Sequence, residues 1–481
     1  MFTYKRRRIL TAILTGTICA SVLLGGCRTP SAEKSSDSGE SQTASDSVST
    51  ARRQQLDSFL QTVNDRKEDI YNEEFLPFEE QWADGVFDWE DTFTQEEMEQ
   101  LSTLPQDTPE QMSNETARKD IQMFFRLLRQ GYGRYDYFGG EEVFDRLEDE
   151  ALDALPDGTV TPEQLIEAVG CVKEVVTDNN LKIGGVPMVQ NQYETWFSDV
   201  YFDTPEQAED VDSEWIRPSI APDGRLCYTL AAVVTDEQAG NLPDEAVIDG
   251  KNVSIDWQKW ECTSLEDTVL SVTELSNGAP LLASRSMLAV DDQHSVQLDA
   301  LSRVGTDYRD VSLLVWDFRS NSGGSDSYFR GWFAGFTGMN PDVKVSYAAR
   351  LTPLNKYLLN FVLATGWYTD YSEGLLNYRD GITFVLQDGQ TADIGESMVN
   401  QLRSVTNTLT VGSTTKGAIL TSNTVNVWLP GSGLQVQWGI KLQQVEKTGN
   451  PDGYGVEPDL WVPPEMALER VELLCGYYGL S

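Results

Sequence analysis

The chain has 481 residues, with 76 acidic against 36 basic side chains and one histidine, a net charge of −40 at neutral pH. That balance makes nucleic acid and anionic lipid headgroups poor partners and reads as a solvated exterior. A single imidazole, His294, with no ligand cluster around it argues against a metal centre, and no cofactor is expected.

Residues 1–27 open with Lys5-Arg6-Arg7-Arg8, continue through the apolar stretch Ile9 to Leu24, and end in Leu24-Gly25-Gly26-Cys27. The apolar stretch is short for a transmembrane helix and reads as a signal peptide. The final four residues form a lipobox, so the bacterial lipoprotein pattern implies cleavage before Cys27 and lipidation of its thiol. Processing would remove four basic and no acidic residues, leaving 32 against 76 and a charge of −44. Residues 28–52 are Ser-rich and polar with little to bury, and are expected to form a tether. The expected location is therefore the extracytoplasmic face of the cell membrane. Cys171, Cys227, Cys262 and Cys475 remain, widely spaced and without paired motifs. They leave room for one or two disulfides of unreadable connectivity.

Residues 53–185 read as a helical N-terminal region. Leu56, Phe59, Leu60, Val63 and Ile70 recur at helical spacing, as do Ile121, Phe124, Phe125, Leu127 and Leu128. Thr108-Pro109-Glu110-Gln111, Thr161-Pro162-Glu163-Gln164 and Thr204-Pro205-Glu206-Gln207 each join a Thr cap, Pro at the first helical position and Gln three residues after the cap. Each predicts a helix start. Residues 186–285 shift to strands and turns, a β-rich insert. Arg225 to Val234 is a strand candidate there, and Asp249-Gly250 a hairpin turn. Trp196, Trp215, Trp257 and Trp260 give this insert the potential for aromatic recognition, although packing explains tryptophan more often.

Residues 286–481 alternate strands and helices, an α/β core. Val311 to Phe318 is a largely apolar run, unbroken from Leu313 to Trp316, the pattern of a strand buried on both faces. It ends in Arg319-Ser320-Asn321-Ser322-Gly323-Gly324, a turn able to present backbone N–H groups. A helix through Tyr328 to Phe336, a strand over 382–386, a helix from about Gly395 to Val405 and a strand over 408–412 follow.

Asp317 to Gly324 (D-F-R-S-N-S-G-G) resembles the signature of the C-terminal-processing, or tail-specific, serine peptidase family. Gly381 to Glu396, Val411 to Ala418 with Leu429 to Leu434, and Gly453 to Val462 extend the resemblance in order and spacing. They are most similar to the tricorn-like branch, which includes relatives of interphotoreceptor retinoid-binding protein. The resemblance implies a ClpP/crotonase-like α/β core, and often a PDZ domain in the insert, for which residues 186–285 show no carboxylate-binding loop. It places the nucleophilic serine at the third position of a T-A-S-x-G-E motif, where this chain has Asp393. It places the general base in a D-x-H segment, where Val176 to Ile183 carries Asn180. It puts oxyanion donors at Gly323 or Gly324 and at the Ile394 amide, and an acidic support for the base at Glu457.

A carboxylate cannot serve as an acyl-transfer serine, and asparagine takes up no proton near neutral pH. Ser397, one turn into the helix, is the displaced-nucleophile candidate, with Lys416 or His294 as its partner. The expectation is thus a lipid-anchored pseudo-peptidase that binds extracytoplasmic polypeptide or an envelope protein. The alternatives are an active serine-type peptidase using Ser397, and a lipoprotein whose insert recognises glycan or envelope.

Overall fold

The computed structural model describes residues 39–73, 92–189, 193–260, 265, 269–419, 421–444 and 453–481. Cys27, the leader, residues 28–38 of the expected tether and Cys262 lie outside the described residues. The chain divides into two units, Met1–Val48 and Ser49–Ser481, and the fold described below is that of the second.

At its centre is a six-stranded sheet. Ser271–Glu274 pairs antiparallel with Pro280–Ala283, and from there the sheet is parallel through Leu313–Asp317, Ile382–Gln387, Thr408–Gly412 and Leu460–Trp461. Its residues alternate between two cores, as the two-residue period of a strand requires. Leu313, Val315, Phe384 and Val411 face Leu60 and Val63 of the helix Gly39–Asn72 and Val471 and Leu474 of the helix Ala467–Tyr478. Leu314, Trp316 and Val385 face the other way, onto Leu298, Trp332 and Val399. Those residues sit on the helices Asp292–Leu301, Asp326–Thr337 and Ile394–Arg403. Covering both faces is what a parallel sheet needs, and it explains why these strands read as continuous apolar runs.

A second sheet places Gln435–Gln444 between Val345–Leu351 and the short strand Lys182–Ile183, with Thr421–Trp428 also paired to it. The helices Asn114–Gly131 and Gly140–Asp153 share a core with this sheet. In the insert, Glu194–Phe202, Ile216–Ile220 and Leu226–Val234 build a four-stranded antiparallel sheet with Gln258–Lys259. Asp249 and Gly250 both take positive φ in the hairpin that joins 245–248 to 251–254. The strands 271–274 and 280–283, inside the span assigned to the insert, belong to the core sheet.

Three expectations change. No helix starts at Thr108: Met112-Ser113 pairs with Thr159-Val160, which holds the backbone extended, and the helix begins at Asn114 with Ser113 as its cap. Thr204 caps only a single 3₁₀ turn, Pro205–Gln207. The first helix starts at Gly39, inside the expected tether, because extending an existing helix costs far less than nucleating one. Cys171, Cys227 and Cys475 are free thiols, and burial pushes them up to about 11, 12 and 12. No helix among the described residues is long and apolar enough to cross a membrane.

Candidate functional site

The 313–317 strand delivers its signature into a web of buried bonds. Asp317 takes Arg319 at 2.7 Å and Arg285 at 2.8 Å. Burial opposes its ionisation, but the two guanidinium groups outweigh it and hold the carboxyl below the usual range. Arg319 also donates to the Pro464 carbonyl at 2.6 Å, and Asn321 donates to the Ser284 carbonyl at 3.0 Å. The signature's polar residues thus shape the turn.

Gly323 and Gly324 follow at φ 113° and 130°, a region that glycine alone enters freely. A Met287 bridge fixes them: Met287 N–H donates to the Gly323 carbonyl and Ser325 N–H to the Met287 carbonyl. A methyl on Gly324 would stand 2.2 Å from the Met287 carbonyl carbon. Of the two expected oxyanion donors here, Gly323 N–H is committed to Asn321 Oδ1 at 3.1 Å. Gly324 N–H has no acceptor among the described residues.

Across from this turn, Asp393 caps the 394–403 helix at φ 52° and ψ −115°. A non-glycine residue held there carries strain that only surrounding structure can maintain. Its carboxylate lies against Gly323, where an added methyl would meet Oδ2 at 2.9 Å. The Asp393 side chain therefore packs against the Gly323-Gly324 turn. Burial pushes its carboxyl up to about 6; Ile394 N–H and Lys182 pull it down, while Asp326 adds to the rise.

Glu396 is the second carboxylate of the same turn, joined to Asp393 as a capping box. It is fully buried and accepts from Thr415 Oγ1 at 2.6 Å, Gly417 N–H at 2.9 Å, Ala418 N–H at 2.8 Å and Asp393 N–H at 3.2 Å. Burial nevertheless raises it to about 7. Glu396 ties the helix to the loop 413–418; sequence reasoning missed it, although its D-x-x-E spacing after Asp393 is the signal that could have found it.

Asn180 is buried and spent on structure. Its side chain donates to the carbonyls of Ala418 at 3.1 Å and Thr421 at 2.9 Å. The cation whose field reaches Asp393 is Lys182, two residues on. Burial and then Lys416 lower the Lys182 amine, while Asp178 and Asp393 raise it. Sequence reasoning missed Lys182, whose place is set by the distant strand pairing of Lys182 with Gln437.

Ser397 is half-buried, and its Oγ accepts from Gln401 at 3.3 Å. Among the described residues no hydrogen bond joins it to Lys416 or His294. Lys416 is exposed, with its backbone N–H on the Thr391 carbonyl. His294 stands in the first turn of its helix beside the cap residue Asp291, at 3.2 Å. Glu457 takes Arg217 of the insert at 3.1 and 3.2 Å and the Tyr454 hydroxyl at 2.7 Å. It thus links insert to core and orients no base. Among the described residues no cluster of three His, Cys, Asp or Glu is close enough to hold a metal.

Residues 285–462 match the sequence model of Peptidase family S41. No curated protein matches the chain. Among solved structures, mature CPAF is similar at 11% identity and a TM-score of 0.40, covering 76% of this chain and 96% of that one. A putative peptidase from Parabacteroides merdae ATCC 43184 gives 13%, 0.39, 76% and 97%. The photosystem II D1 C-terminal processing protease gives 13%, 0.36, 75% and 96%. At such scores these likenesses carry no weight beside the family match.

Proposed function

Over residues 285–462 the chain belongs to peptidase family S41, with a tail-specific peptidase core, and from that premise we propose a pseudo-peptidase that binds a polypeptide segment without cleaving it. The observation that carries this reading is Asp393. It stands at positive φ at a helix N-terminus, the position where the resemblance puts the nucleophile, and its side chain is a carboxylate against Gly323. Negative charge fixed there opposes the oxyanion of acyl transfer. Asn180 offers no base and is bound to two carbonyls. A donor at Gly324 without an acceptor among the described residues, and a cation at Lys182 whose field reaches Asp393, suit the carbonyls of an extended chain. The leader and lipobox support anchoring at the extracytoplasmic face through Cys27, with an exported polypeptide or an envelope protein as the partner.

The test uses fluorescein-labelled unfolded casein with the purified protein. Anisotropy should report saturable binding, and gels should show no fragments after prolonged incubation. Ser325→Trp, at an exposed position beside the groove turn, should weaken binding without unfolding the protein. Fragments that appear with wild type and vanish with Ser397→Ala would replace this reading with an active peptidase.

A further inference from the structure

A cleft of about 1040 Å³ lies between the insert sheet and the core, away from Asp393 in its lining. Trp196, Trp257, Trp260 and Tyr201 form aromatic walls, and Arg470 of the 467–478 helix lies among them. Arg470 is only 5% exposed, and among the described residues it has neither a carboxylate at ion-pair distance nor an acceptor for Nη1. Its guanidinium carbon stands 6.0 Å over the Tyr201 ring. Arg285 and Arg319, by contrast, share Asp317. A buried guanidinium is ordinarily paired, and a chain with 76 acidic residues does not lack partners for it. The same cleft holds a second buried donor without an acceptor, Trp196 Nε1.

The other two indoles are fixed by their N–H edges. Trp257 donates to the Pro243 carbonyl at 2.9 Å and Trp260 to Glu465 at 2.9 Å. Trp215 packs edge-on against Trp257, with centroids 6.2 Å apart. The cleft is thus a set of immobilised aromatic surfaces around a guanidinium without an ion-pair partner among the described residues, with Asp199, Lys259, Arg319, Asp388 and Glu465 also in its lining.

We propose that this cleft binds an acidic sugar, a uronic-acid unit whose carboxylate pairs with Arg470 and whose ring lies on the tryptophans. A guanidinium binds carboxylate through two parallel N–H bonds. The C–H face of a pyranose is apolar and stacks on indole, while its hydroxyls suit the Trp196 donor and the Glu465 acceptor. The donors are side-chain groups in a wide cleft rather than a run of backbone amides, which favours a sugar over a peptide terminus.

The experiment titrates the purified protein with a glucuronate-containing oligosaccharide and with its carboxyl-reduced, neutral counterpart, read by calorimetry and tryptophan fluorescence. The acidic form should bind about tenfold or more tightly than the neutral one. Arg470→Gln should remove that preference. Should Arg470→Gln fail to fold, Trp257→Ala should weaken both forms, and the acid-to-neutral ratio on wild type stands without any variant. Equal binding of the two forms, no binding of either, or tighter binding of a peptide with a free C-terminus would overturn the proposal.

Discussion

Asp393→Asn should stabilise the protein at alkaline pH and do almost nothing in acid. Burial raises the Asp393 carboxyl from the ordinary 3.8 to about 6. Its neutral form is therefore favoured by folding, and that contribution is complete below about pH 4. It is lost as pH rises through about 6, because ionised Asp393 is better solvated in the unfolded chain. The difference of about 2 pH units at about 1.36 kcal/mol each gives about 3 kcal/mol. Solvent screening at a partly exposed residue reduces this to about 1–3 kcal/mol. Asparagine is close to isosteric and tolerates positive φ as well as aspartate does. Urea unfolding of both proteins at about pH 4, 6 and 8 measures the effect. The variant should gain about 1–3 kcal/mol at pH 8 and under about 0.5 kcal/mol at pH 4. An equal gain at both pH values, or a loss at pH 8, would refute the account of a carboxylate desolvated against Gly323.

Glu396→Gln replaces one acceptor oxygen with an NH₂ that must face donors, whichever way the amide turns. It should cost about 2–4 kcal/mol at neutral pH, measured by urea unfolding; a cost under about 1 kcal/mol would contradict the four-donor cage. Gly324→Ala puts a methyl 2.2 Å from Met287 backbone at φ 130°. It should cost about 3 kcal/mol or more or prevent folding, and an unchanged thermal midpoint would contradict the turn geometry. Ser397→Ala removes only a hydroxyl that accepts from Gln401. Its unfolding free energy should stay within about 1 kcal/mol of wild type.

Where burial dominates, the sequence is easily read. The 408–412 strand appears with the expected bounds, and the 382–387 strand and 394–403 helix within a residue or two of theirs. Continuous apolar runs and a helical period leave few alternatives in a sheet covered on both faces. Thr108 shows the limit: its capping signal is sound locally, but the distant partner Thr159-Val160 claims the backbone that follows. The site divides the same way. The D-x-R-x-N-x-G-G run and the position of Asp393 are local patterns. Lys182 and the burial of Glu396 depend on segments far apart in the chain meeting, 178–182 with 418–421 and 396 with 415–418. That Arg470 Nη1 has no acceptor among the described residues is equally invisible in sequence, because it is defined by what does not come near it.

The central claim, a peptidase groove without a nucleophile, is tested most directly by fluorophosphonate labelling of the purified, folded protein, with the modified residue mapped by mass spectrometry. The account predicts no labelling above that of the urea-unfolded chain, since Asp393 fills the nucleophile position and Ser397 has no base. Stoichiometric modification of one serine, Ser397 above all, would contradict it and make the protein an active enzyme.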